Sequence, residues 1–335
     1  GYSSAASDVY KRQFEKPKEI SFPYPIASSE SLTDNTYLSY NTVVGNVLDK
    51  ELYLAFEVLE YALLNAPGAP LKKALIDAGI GKDIMGSYDN GIYQPIFSII
   101  AKNANEEQKE EFLSVIRNVL EDCVKNGISK KSLLAGINSM EFKFREADFG
   151  AYPKGLMYGL QCLDSWIYDE KEPFMHIEAI ETYAFLKEQT KGRYFEELVQ
   201  KYLLDNTHVS VVITKPQKGL NAENEKALEE KLAAYKATLS KEEIDSLIAD
   251  TRHLKEYQEE PSPKEDLEKI PLLKREDLKK EIVKLTNEEC EVAGVPALYH
   301  DVFTSGIHYV DFMFDIKHIR QEDLPYVGLL KACLL

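Results

Sequence analysis

Along residues 14–216 the apolar positions switch between a period of two and a period of three to four, the signature of strands alternating with helices. Tyr37 to Val44 is rich in aromatic and β-branched residues and runs into Gly45, which predicts a strand and its turn. Asp49 is placed to cap a largely buried helix carrying Leu52, Phe56, Leu59, Tyr61 and Leu63, ending near Pro67 and Gly68. A shorter helix, Leu71 to Ala78, stops at Gly79. Ile84 to Tyr88 and Tyr93 to Ala101 flank Asp89-Asn90-Gly91 and read as a hairpin. Helical spacing then predicts Asn105 to Lys125, Ser129 to Glu146, Pro153 to Tyr168, Pro173 to Glu188 and Gly192 to Leu203, before a strand over Thr207 to Thr214.

The pattern changes after Pro216. Residues 221–270 hold 14 acidic and 8 basic side chains and no glycine. Two narrow apolar stripes, Leu228, Leu232, Tyr235 and then Ile244, Leu247, Ile248, Leu254, predict an αα-hairpin whose second helix starts at the capping box Ser240/Glu243. From Glu289 a further α/β unit is expected, with strands over Val292 to Val295, Ala297 to His300 and Ile307 to Ile316 and a closing helix. The fold class is therefore α/β (α+β), a mixed sheet packed by helices with a helical-hairpin linker. The expected parts are 14–216, 217–288 and 289–335. Residues 3–13, SSAASDVYKRQ, resemble the translated frame of a sequencing-library adapter, so 1–13 is set aside as non-native. The apolar run Val327 to Leu335 carries no helix-stop residue, and the chain is expected to be an internal fragment.

Composition narrows the functional classes. A net charge of -16 disfavours a phosphate-backbone partner, because such binding rests on Lys and Arg displacing counterions. No apolar stretch approaches the roughly 20 residues of a membrane-spanning helix. The acidic balance is commonplace in the cytoplasm, which is favoured while the compartment stays open. Cys123, Cys162, Cys290 and Cys333 are too far apart for a C-x-x-C pair and are expected to be reduced thiols.

Candidate chemistry is sparse. His300, His308, Asp311, Asp315 and His318 are ligand types for zinc, but strand alternation would point His308 away from Asp311 and Asp315. No H-E-x-x-H, H-x-x-E-H, G-x-S-x-G or phosphate-loop motif occurs, and His176 reads as a helix-surface residue. The segment Asn138 to Gly159 is the most unusual. There Arg145, Glu146 and Lys154 flank a glycine turn at Gly150, and Pro153 opens the next helix. Two readings stay open: Arg145 and Lys154 hold the carbonyls or carboxylates of a peptide, with Glu146 beside them as a further substrate-binding candidate, or Arg145 pairs with Glu141 or Glu146 in a helix-helix corner.

Four places in this chain, in order, resemble one family. Asn65-Ala66-Pro67-Gly68-Ala69-Pro70-Leu71 with Gly79-Ile80-Gly81 is the first. Glu141-Phe142, Arg145-Glu146, Gly150, Pro153-Lys154-Gly155-Leu156 and Trp166-Ile167-Tyr168 form the second. The acidic hairpin from Asn221 is the third, and His300-Asp301, Phe303-Thr304 and Tyr309 the fourth. From about Phe22 to Leu335 the chain resembles the presequence-protease and falcilysin-like branch of the insulinase-type (pitrilysin) zinc metallopeptidases. Lys154 replaces the family's usual arginine and Ala69 its usual serine, and the first change weakens any bidentate carboxylate contact there. The resemblance implies a clam-shell enzyme of two halves around a chamber for unstructured peptides. It implies a zinc site, H-x-x-E-H plus a distant glutamate, in a first domain upstream of Phe14. This chain would then supply the second domain, the hinge linker and the start of the third domain, without catalytic or metal-binding residues, the remaining halves of the same polypeptide being its partners. The alternative is a non-enzymatic scaffold or partner subunit of the same fold.

Overall fold

The computed structural model describes residues 13–334 except 279, 283 and 285; apart from Gln13, the segment set aside as adapter-derived lies outside the described residues. Two units are present: a larger one, from 1–143 and 147–283, and a smaller one, from 144–146 and 284–335.

In the larger unit, strands β1 (Lys18–Ile26), β2 (Thr36–Val43), β3 (Asp83–Asp89), β4 (Ile96–Ala104) and β5 (Val209–Lys218) form a mixed sheet of order β1-β5-β2-β4-β3. β1 runs parallel to β5 and the other neighbours are antiparallel. Helix α1 (Lys50–Glu60) begins where the Asp49 side chain accepts the Leu52 N–H at 2.9 Å, and it continues into a π-helical turn, Tyr61–Asn65. Proline at the first position starts α2 (Pro70–Asp77). Then follow α3 (Lys109–Asn126), α4 (Lys130–Glu146), α5 (Lys154–Trp166), α6 (Ile180–Gln189) and α7 (Tyr194–Leu198), the last running into a π-helical turn, Val199–Leu204.

The core lies between the helices and one face of the sheet. Phe56 of α1 is fully buried, with the rings of Phe97, Tyr88 and Tyr202 at centroid distances of 5.8, 5.8 and 5.7 Å. Tyr40 and Thr42 of β2 point the same way, donating their hydroxyls to the carbonyls of Leu203 and Tyr202. Burial pushes the Tyr40 phenol up to about 12.

The acidic hairpin consists of α8 (Leu220–Thr238) and α9 (Lys241–Glu259), followed by the short α10 (Lys264–Leu267). The reciprocal Ser240/Glu243 capping box starts α9, as its sequence predicts. Neither long helix buries a residue, and Leu228, Leu232, Leu247 and Ile248 stay about half exposed.

Several expectations need correction. β1 was not expected: Pro23 and Pro25 interrupt its pattern, and only an edge position tolerates residues with no N–H to donate. The 173–179 stretch is a series of turns, so α6 starts at Ile180, and β4 starts at Ile96 rather than Tyr93. In the smaller unit, Val292 to Val295 is not a strand but the tight turn of a hairpin, between β6 (Glu288–Val292) and β7 (Val295–Tyr299). Its centre, Ala293 and Gly294, has φ of 51° and 81°, the left-handed pair that matches strand twist. Ile307 to Ile316 carries no strand, because β-branched composition pairs only where a neighbouring strand offers an edge. The final run forms α11 (Leu324–Leu334).

Candidate functional site

Side chains alternate across a strand, so the register settles what each face of the sheet carries. The helix-covered face holds Leu38, Phe97, Ile99, Ala101, Val211 and Ile213, all buried. The opposite face is half-exposed: Met85 is 45% and Ile20 47% accessible. Paired positions there make two rows across the strands. One row runs Ile20, Val212, Ser39, Ile100, Met85 and is mainly apolar; the next runs Lys18, Ser210, Asn41, Ser98, Ser87 and is polar. At its centre the Ser98 hydroxyl donates to Asn41 Oδ1 at 2.7 Å, and Asn41 Nδ2 reaches the Ser210 carbonyl at 3.3 Å. The face thus carries a polar row, whose central Ser98 is buried and hydrogen-bonded to Asn41, beside an apolar row that is most exposed on the edge strands, at Ile20 and Met85.

The corner singled out in the sequence is built as follows. α4 starts where Ser129 Oγ accepts the Ser132 N–H and ends at Ala147, whose φ of 47° lets its N–H return to the Lys143 carbonyl. Asp148 accepts the Gly150 N–H at 2.9 Å, Gly150 takes a φ of 60°, and Pro153 precedes α5 as its cap. Within the smaller unit, Arg145 Nη1 donates to the Ser305 carbonyl at 3.3 Å and Glu146 accepts the Tyr309 hydroxyl at 3.1 Å. Lys154 is exposed at the first turn of α5. Arg145 and Glu146 therefore meet the 305–309 segment together; Lys154 belongs to the larger unit. Glu141 takes an ion pair with Lys187.

A second cluster escaped sequence reasoning. Tyr53 of α1 donates to Asp164 of α5 at 3.1 Å, and its ring stacks on His176 at 3.9 Å. His176 is thus no helix-surface residue: it sits in the 173–179 turns, 4% exposed, and its buried Nε2 has no hydrogen-bond partner among the described residues. Burial pushes its imidazole down to about 4. One turn along α1, Glu57 accepts the Asn90 side-chain amide at 2.8 Å. Burial raises the Glu57 carboxyl to about 7, against the Asn90 hydrogen bond and with help from the charges of Glu60 and Asp164. Burial likewise raises the phenols of Tyr53 and Tyr88 and the carboxyl of Asp164. The signal in the sequence was Glu57 and Glu60, two acids inside the otherwise apolar run Leu52 to Leu59 and its end.

Metal chemistry finds no seat in these residues. Among the described residues no group of three or more His, Cys, Asp or Glu side chains converges to hold an ion, and His300, His308, Asp311, Asp315 and His318 are not brought together as a ligand set. The strand alternation that separated His308 from the two aspartates is absent, since 307–316 is irregular. No helix among the described residues is long and apolar enough to cross a membrane.

Comparison with known proteins agrees with the sequence resemblance. Residues 5–140 match the family model described as the peptidase M16 inactive domain, and residues 214–335 match the model described as associated with subfamily C of that peptidase family. The chain is 43% identical to Protein HypA of Clostridium perfringens, over 98% of this chain and 34% of that protein. It is 30% identical to presequence protease 1 of Arabidopsis thaliana, over 97% of this chain and 31% of that one. The chain therefore spans about a third of the length of the curated relatives it matches. Among solved structures, the inactive peptidase domain of a putative zinc protease from Bordetella parapertussis aligns with a TM-score of 0.43 at 10% identity, covering 57% of this chain and 95% of that one, a likeness too slight to carry an argument. On the two family models and these relatives, the chain belongs to the peptidase M16 family and carries its inactive domain together with the region associated with subfamily C.

Proposed function

We propose that this chain is the wall and joint of a larger zinc-dependent endopeptidase that degrades short unstructured peptides inside a closed chamber. The observation that supports this most is the one-sided sheet. Helices cover one face of β1–β5, and the other offers an apolar row beside a polar row, a surface that receives an extended peptide by side-chain contact without demanding one sequence. In this reading α8 and α9, whose apolar stripes lie exposed, are the hinge segment, and their stripes pack on the remaining halves of the same polypeptide. In the same reading Arg145, Glu146 and Lys154 are substrate-binding residues. Among the described residues no cluster of ligands gathers to hold zinc; in this reading the parent protein's metal, bound elsewhere in the polypeptide, would supply the activated water.

The test compares the 335-residue chain with the full-length parent on a quenched fluorogenic peptide. Cleavage is expected only from the full-length protein and is expected to stop with a zinc chelator. In the same protein Ile100→Asp and Ser87→Trp, both on the open face, should raise KM several-fold more than they change kcat, because they disturb binding shared by ground and transition states. Cleavage by the 335-residue chain alone would overturn the proposal. A full-length protein that folds but cleaves no peptide would instead establish the scaffold reading.

A further inference from the structure

The chain contains two Asn-Gly pairs, Asn90-Gly91 and Asn126-Gly127. Both share one intrinsic reactivity: glycine puts no side chain in front of its backbone nitrogen, which can then close on the side-chain carbon of the preceding asparagine. Exposure alone would favour Asn126, which is exposed, over Asn90, which is half-buried. Hydrogen bonding reverses that order. At the end of α3 the Gly127 N–H donates to the Cys123 carbonyl at 2.9 Å, so the attacking nitrogen is tied into the helix. Asn90-Gly91 instead follows the end of β3, where among the described residues no group accepts from the Gly91 N–H. Both side-chain amides donate to a carboxylate, Asn126 to Asp122 at 2.6 Å and Asn90 to Glu57 at 2.8 Å. The freedom of the glycine nitrogen is therefore what separates the two pairs.

We propose that Asn90-Gly91 is a self-modification site, whose reaction severs the hydrogen bond holding the β3–β4 turn to α1. The Gly91 backbone nitrogen bonds to Asn90 Cγ while the Cγ–Nδ2 bond breaks. Nδ2 gains, through solvent, the proton that Gly91 loses, and leaves as ammonia. Water then opens the resulting cyclic imide at either carbonyl, giving aspartate or isoaspartate; no oxidant or further reactant is needed. Either acid lacks the N–H that Glu57 accepts at 2.8 Å and brings a carboxylate to the turn. Asp164 already lies on that side, since a Cβ built at Gly91 would stand 3.6 Å from its Oδ1. A buried acceptor that loses its donor and gains a like charge nearby turns an attachment into a repulsion, so the modified turn loosens from α1.

The test incubates the 335-residue chain in mildly alkaline buffer and follows the peptides carrying Asn90 and Asn126 by mass spectrometry, reading loss of ammonia and then gain of water. Asn90 is expected to convert at least about fivefold faster, the rate equivalent of the one backbone hydrogen bond that ties Gly127. In urea, where neither glycine nitrogen is held, the two rates should converge. Gly91→Ala fits without strain, because its Cβ makes only an ordinary contact with Asp164, and the added methyl should slow conversion at Asn90 alone. Asn90→Asp stands in for the product and should lower the thermal midpoint by several degrees, with Glu57→Gln in the same chain recovering part of the loss by restoring a donor. Conversion at Asn126 as fast as at Asn90 in the folded chain, no conversion at Asn90, or a ratio that persists in urea would overturn the proposed site. An Asn90→Asp chain as stable as the parent would overturn the severed attachment.

Discussion

Ile99 and Ile100 are adjacent on β4, chemically identical and on opposite faces, so they measure how one-sided the sheet is. Ile99 is fully buried against the helical layer. Ile100 lies half-exposed between Ser39 and Met85. Truncation to alanine costs both positions the same strand propensity, which cancels in the comparison. What remains is burial and cavity. For Ile99→Ala the loss of a buried side chain predicts about 3 to 4 kcal/mol, within the range seen for core isoleucines. For Ile100→Ala no closed cavity forms, and about 1 kcal/mol or less is expected. The difference of about 2 to 3 kcal/mol is a large part of a domain's usual net stability of about 5 to 15 kcal/mol. Urea unfolding of the 335-residue chain, followed by far-UV circular dichroism, reads it as a much lower midpoint for Ile99→Ala at unchanged slope. Equal losses at the two positions, or a larger loss at Ile100, would mean that the second face is packed as tightly as the first, and the case for an open peptide-contacting wall would fail.

Two groups make opposite contributions to stability between pH 4.5 and 6.5. The Glu57 carboxyl, raised to about 7, binds a proton in the folded state that the unfolded chain has lost, so its contribution falls as the pH climbs through that range to about 7. His176, lowered to about 4, is neutral when folded and protonated when unfolded, so its contribution is complete above the unfolded value near 6.5 and is lost as the pH falls toward 4. Each is worth at most about 3 kcal/mol. Glu57→Gln should therefore leave stability rising with pH, and His176→Phe should leave it falling; unfolding midpoints at pH 5 and 6.5 that shift the other way contradict the assignment. Glu196 of α7, 7% exposed, accepts the buried Ile128 N–H at 2.8 Å, tying the α3–α4 turn to the core. Glu196→Ala orphans that donor and should cost about 2 kcal/mol, while Glu196→Gln keeps the acceptor and should cost markedly less; equal losses by thermal unfolding would remove the hydrogen bond from the explanation.

The resemblance identified in the sequence carried most of the family assignment, because its motifs are local. Pro70 opens α2, Gly79 with φ of 69° closes it, and Gly150 bends the α4–α5 corner, each a backbone demand written in one or two residues. The candidate site was legible only in part. Arg145 and Glu146 stood out, but their meeting with Ser305 and Tyr309 joins residues about 160 positions apart, which no periodicity records. The Glu57 cluster joins α1, the β3–β4 turn and α5 across gaps of 33 and 111 positions.

Sequence alone determined the features that depend on neighbours along the chain: the caps at Asp49, Ser129 and Ser240, the hairpin of α8 and α9, and the strand character of β2, β3 and β5. Tertiary structure decided the rest. β1 is a strand because β5 offers it a parallel edge, 307–316 is none despite its aromatic and β-branched residues, and α5 meets α1 through the bond between Tyr53 and Asp164. The physical reason is range. A cap or turn is settled by interactions within a few residues, whereas strand pairing and the choice of buried face depend on partners brought from far along the chain, and only the folded protein chooses them.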